Sequence, residues 1–298
     1  MFLIFLGFLS RRLSLFKQED VSVLKKVIIY LTLPALIFTV SYRSSFSLSF
    51  LKIPVLAWVV MLLSLGAAFL LSFALSLKKE TRGSFLLTSA IGNTGYFGYP
   101  LALAFYGRAG LVNSIFYDLI GSVPFVFTIG VYLAEKFGKE NKTGNPLWGV
   151  FTFPPLLALV AAYVLQFLGT ATGFFVPSFI LKSLDSVGKV TIPLIVLTIG
   201  LSLELSSIRT FWFPLLLVCL LKLIFSPVLA YLTGALFLKA TALKVSVLEA
   251  SMPTFMLSLV IGARSKLDTS FISGAILVTT LASILTIPFW QFLFNFVK

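Results

Sequence analysis

Apolar residues along this chain do not alternate with polar ones. They run on in stretches of about 20, each long enough to cross about 30 Å of hydrocarbon as a helix. The runs predict helices over 24–41, 53–77, 84–106, 111–133, 147–168, 183–203, 211–237, 242–262 and 270–297, with a short piece at 1–9. That makes ten segments, five on each side of a charged linker at 134–145. The fold class expected is an all-α polytopic membrane protein. Strands of a membrane barrel would alternate apolar and polar residues, and these runs do not.

The two halves repeat. Thr32-Leu33-Pro34 and Thr191-Ile192-Pro193 each put a proline inside a long apolar run, and the two prolines stand 159 positions apart. The same offset carries Gly92-Asn93-Thr94-Gly95 onto Ser251-Met252-Pro253-Thr254 without a gap. The expected organisation is a first five-helix repeat over 1–133, the short linker 134–145, and a second repeat over 146–298. Five crossings is an odd number, so the second copy must run inverted. An inverted repeat with a broken helix in each copy is the signature of a secondary transporter. By the same offset Met1 falls on Val160, which leaves the first helix about 13 residues shorter than its counterpart.

The breaks carry the polar chemistry. Three glycines and Pro100 fall within nine residues after Ile91, so the fourth segment cannot run as one unbroken helix. Unpaired backbone at that depth needs protein or a wet cavity beside it. Asn93 and Thr94 offer side-chain hydrogen bonds there, next to Gly95. In the ninth segment Pro253, between Met252 and Thr254, does a similar job. If helices 4 and 9 cross at these breaks, half-helix N-termini face one place and favour an anion. Ordinary kinks are the plainer account of each break alone. Pro34 and Pro193 are expected to kink helices 2 and 7, as packing features or as support for the site.

Three ionisable residues lie within the apolar segments. Lys222 stands at least 11 residues from either end of its segment, roughly 16 Å or more at helical rise, too far for its stem to reach water. Glu249 precedes Pro253 by four positions and is the best candidate for proton coupling. Asp118 lies in the fifth segment. Charges at this depth are costly and need partners or a function. A Lys222–Glu249 pair would be one answer, and a structural clamp another.

Charge sets the orientation. The formal net charge is +13, with 23 lysines and arginines. Fourteen of them flank the loops after segments 1, 3, 5, 7 and 9, and eight lie on the opposite side. The positive-inside rule then puts the linker in the cytoplasm and both termini outside a cell (inner) membrane. Anionic lipid headgroups, rather than nucleic acid, are the expected partners of these charges. Only 11% of residues are charged, against about 25% in soluble domains. There is no histidine and one cysteine, Cys219, so disulfides within the chain and Ser-His or Cys-His catalysis are excluded. No metal site and no cofactor are expected; a coupling H+ or Na+ stays open, as does a homodimer.

In Leu33-Pro34-Ala35-Leu36-Ile37-Phe38, in Gly92-Asn93-Thr94-Gly95-Tyr96-Phe97-Gly98-Tyr99-Pro100-Leu101 and in Met252-Pro253, the chain resembles the auxin efflux carrier family, including its prokaryotic members. The resemblance covers essentially the whole chain. It implies ten helices in two inverted repeats, helices 4 and 9 crossing at the substrate site, elevator-like alternating access, and a fold shared with bile acid sodium symporters. It implies small organic anions as substrates, auxin in plants and dicarboxylates such as malate or malonate in some bacteria. Asn93, Thr94, Pro100 and Pro253 match its crossover positions. The long plant carriers have a large cytoplasmic loop where this chain has only 134–145.

The function expected is export or exchange of small organic anions. A sodium-coupled organic acid symporter of the same fold, and a non-transporting sensor or scaffold, are the alternatives. An enzyme is not expected.

Overall fold

A computed structural model describes residues 2–139, 146–202, 211–238 and 240–296. Seven helices among them are long and apolar enough to cross a membrane: Glu19–Tyr42, Leu48–Ala74, Thr94–Phe137, Pro154–Thr172, Ser178–Ser202, Trp212–Gly234 and Thr269–Phe294. The 44-residue stretch Thr94–Phe137 covers parts of two expected segments. It changes course at Gly107, whose φ of 61° is a backbone state that glycine tolerates best. The other apolar segments are short, as in Phe2–Arg12, or interrupted, as in Lys79–Ala90 and Ala240–Ala250. No strand occurs among the described residues, only one isolated antiparallel bridge, Gly92 with Thr254. The linker expected over 134–145 begins later than its charges imply, because helix continues to Phe137; residues 140–145 lie outside the described residues.

The chain divides into two compact units, and each takes segments from both halves of the sequence. The first comprises Met1–Leu48 and Trp148–Leu203. Small residues let its backbones touch, as is usual where lipid gives helices no hydrophobic reason to associate. A side chain on Gly7 would meet the Leu197 carbonyl, and one on Gly200 the Ile4 carbonyl. Gly188 rests on the backbone of Leu36 in the same way. Pro34 is the second residue of Leu33–Tyr42, directly after a wide π-type turn over Ile28–Thr32. Pro193 is the third residue of Thr191–Ser202, directly after the Ser178–Lys189 helix and Val190. Gln166 Nε2 donates to the Tyr42 carbonyl at 2.8 Å, and Asp185 pairs with Arg43 at 3.5 Å and Lys189 at 3.0 Å.

The second unit comprises Ser49–Leu147 and Glu204–Lys298. Phe85, Leu86, Leu215, Val218, Phe271 and Ala275 form part of its core, which fixes the Lys79–Ala90 helix against Trp212–Leu220 and Thr269–Phe296. At the polar end Thr81 Oγ1 donates to Asp268 at 2.8 Å, and Asp268 in turn accepts the Phe271 N–H at 3.0 Å. Glu80 pairs with Lys139 at 3.1 Å; its own backbone hydrogen bond, then Lys139, hold the carboxyl below its ordinary value.

Candidate functional site

Both broken helices lie in the second unit, and their breaks pair with each other. The Lys79–Ala90 helix ends at Ile91, whose extended φ/ψ of −106°/125° leaves the helical region. The Asn93 N–H donates to the Pro253 carbonyl at 2.8 Å, and the Phe255 N–H donates to the Ile91 carbonyl at 3.2 Å. Each break therefore supplies the backbone partners that the other lacks, which a membrane interior without water requires. Thr254 anchors the pairing on both sides. Its N–H donates to Thr279 Oγ1 at 3.0 Å, and its hydroxyl donates at 2.9 Å to the Thr88 carbonyl, one of those left over at a helix end.

The three intramembrane ionisable residues gather round this pairing. All are buried, Lys222 and Glu249 at 3% and 0% exposure and Asp118 at 8%. Asp118 sits in a wide turn over Phe116–Ser122 and accepts from Thr94 Oγ1 at 2.5 Å and the Tyr99 hydroxyl at 2.6 Å. Lys222 sits in another, Leu221–Phe225, and its ammonium donates to the Ala250 carbonyl at 3.2 Å. Such turns recur at functional positions because they re-aim a side chain within a helix. The Lys222 turn is braced: Trp290 Nε1 donates to the Leu223 carbonyl at 2.9 Å, and the Ser226 hydroxyl to the Leu221 carbonyl at 2.8 Å. One Glu249 oxygen accepts from Ser114, while Oε2 has no hydrogen-bond partner. Lys222 and Glu249 do not form the ion pair considered from the sequence; Lys222 is turned to backbone oxygen and Glu249 to a hydroxyl.

The glycine spacing gains a physical reason here. A β-carbon on Gly92 would lie 2.9 Å from Lys222 Cε, and one on Gly95 3.1 Å from Asp118 Oδ2. One on Gly98 would overlap the Glu249 carboxylate. Each glycine is the seat of one buried ionisable group. The interval of three was visible in the sequence, but its occupants were not. Ser114, Tyr99, Thr88, Thr279 and Trp290 went unrecognised, because a serine, threonine or aromatic residue in an apolar run carries no positional signal.

Two features decide what the place can do. Asp118 bonds to Thr94 and Tyr99, in the first turns of the half-helix that starts at Thr94, so the protein's own carboxylate meets that positive helix end. Asn93 begins that half-helix with φ/ψ of −85°/62°. Its side chain is 1% exposed, and neither amide oxygen nor amide nitrogen has a partner. A buried amide left so is costly unless something completes it. Met252 and Pro253 are buried beside it, and Pro100 is the second residue of the Tyr99–Ile115 helix. Pro34 and Pro193 belong to the other unit. No group of three or more metal-ligating side chains is found among the described residues.

Apolar helices of membrane length, together with broken segments whose paired backbone is ringed by buried charges, define a multi-pass membrane transporter. The chain belongs to the membrane transport protein family, the auxin efflux carrier family, whose model matches residues 1–291. It is 36% identical over 293 residues to an uncharacterized transporter of Methanocaldococcus jannaschii, covering 97% of this chain and 94% of the relative. An uncharacterized transporter of Methanothermobacter thermautotrophicus is 31% identical over 292 residues, covering 97% and 94%. A Rhizobium meliloti protein named for malonate transport is 27% identical over 296 residues, covering 96% and 90%.

Proposed function

We propose that the protein is a secondary transporter of small organic anions, dicarboxylates among them, that exports or exchanges its substrate by elevator-like alternating access. The observation that carries this reading is the buried, unpartnered Asn93 amide at the paired breaks, in a cluster that includes the Lys222 ammonium. An amide nitrogen can donate to a carboxylate, and a desolvated polar group with no partner of its own is what a ligand completes. The likeness to the protein named for malonate transport favours a short dicarboxylate. Ten segments in two inverted repeats, with helices 4 and 9 crossing, belong to the proposal. The antiparallel Gly92–Thr254 bridge supports it. So does the offset of 159, which carries Glu19–Tyr42 to within a few residues of Ser178–Ser202. The unit that holds the site would carry the substrate. The excess of positive charge on one side supports a cytoplasmic linker and external termini. An inside-negative potential favours exit of an anion, by about 2.3 kcal/mol per charge per 100 mV.

Purified protein in liposomes, loaded with labelled malonate, malate or an aromatic acid, tests this under imposed voltage, pH and sodium gradients in turn. Flux of at least one anion that is lost in Asn93→Ala supports the proposal. Saturable binding without flux would replace it with a sensor. Glu249 is proposed to carry a coupling proton, since its Oε2 has no partner to compete for it. Glu249→Gln should then remove the pH dependence of flux while the protein still folds.

A further inference from the structure

The first halves of both broken helices end beside one another. Lys79–Ala90 stops just before Gly92, and Ala240–Ala250 stops at the carbonyl that Lys222 reaches. A helix C-terminus carries partial negative charge from its unused carbonyls, and two such ends at lipid depth call for a cation. The Lys222 ammonium supplies it. It is bonded to the Ala250 carbonyl at 3.2 Å, and its Cε and Nζ fill the place that a side chain on Gly92 would take. It makes no ion pair within 4.0 Å among the described residues, so backbone oxygen rather than a carboxylate is its hydrogen-bond partner. Its position is set by the braced turn: Trp290 holds Leu223, Ser226 holds Leu221, and the Ser64 and Ser226 hydroxyls meet at 2.9 Å.

We infer that Lys222 is a built-in cation standing where a diffusible monovalent cation would otherwise bind, so that the site is complete without sodium. The cation claim concerns binding and stability, and only its consequence for coupling rests on the transport reading. Lysine chemistry suits the task, because the ammonium is a compact point charge on a stem long enough to cross from one helix to the breaks. Removing the stem leaves carbonyl oxygen and an open volume next to Gly92, a place where a small cation can enter.

The test compares melting of the purified protein in sodium, lithium, ethylammonium and choline chlorides at one ionic strength. The wild type should melt at the same temperature in all four. Lys222→Ala should melt lower in choline and recover by roughly 3 °C in ethylammonium or sodium, the size expected for a ligand at a few times its dissociation constant. Lys222→Met, which refills the space without charge, should melt lower and recover in none. A sodium-dependent rise in the wild type overturns the inference, as does a Lys222→Ala protein that responds to no cation. If Lys222→Ala does not fold, Lys222→Met decides with the wild type: melting equal to the wild type in choline overturns the inference, and lower melting without recovery supports it. These measurements need no substrate. Failure to find any transported anion would remove the transport reading and leave the melting result standing.

Discussion

Single residues divide here into those that hold the breaks together and those that wait for a partner. Asn93 is of the second kind. Its side chain makes no hydrogen bond, so Asn93→Ala removes an unsatisfied buried group and should not lower the melting temperature, while abolishing flux. Thr254 is of the first kind. Thr254→Val strips the donor from the Thr88 carbonyl in a dry place and should cost about 1–3 kcal/mol, read as a drop in melting temperature. Gly98 tests the seating of Glu249. A methyl group there overlaps the carboxylate, so Gly98→Ala should destabilise by about 1–3 kcal/mol, whereas in a Glu249→Ala background the same change should cost little. Additive effects in that cycle would mean that the glycine serves only backbone conformation.

At the level of elements, the breaks were legible because glycine and proline act on the backbone directly. Pro100 and Pro253 lack a donor, and no surrounding sequence can restore it. The wide turns carrying Asp118 and Lys222 were not legible. Phe116–Ser122 and Leu221–Phe225 have no glycine–proline signature of their own except Gly121, and what holds the second is an indole from residue 290. Trp290→Phe should therefore act at a distance in sequence: it leaves the Leu223 carbonyl unanswered and frees the Lys222 turn. The expected outcome is a lower melting temperature together with reduced flux. Unchanged flux in a destabilised protein would confine Trp290 to packing.

Across the whole molecule, an all-helical fold with several membrane-length helices could be read from the apolar runs and their length, because a membrane admits few backbone solutions. The division into units could not. Each unit draws helices from both halves of the chain, and such partners are fixed by small-residue contacts like Gly7 on Leu197, which apolar runs do not encode. Ser64 and Ser226 offer a check within one unit, since their hydroxyls lie 2.9 Å apart although 162 positions separate them. With Cys219 changed to serine, Ser64→Cys/Ser226→Cys should form a disulfide under mild oxidation and carry the same flux oxidised as reduced, as the bond lies inside one body. Loss of flux on oxidation, restored by reduction, would show that these helices must part during the cycle.

The two backbone bonds between the breaks also bear on time. The Asn93 and Phe255 amides are each held by a carbonyl of the opposite chain segment. Neither can exchange its hydrogen for deuterium unless the shared ladder opens, so the two sites, far apart in sequence, should exchange in a single correlated event. Their common lifetime would then report how long the two half-helix pairs behave as one solid piece.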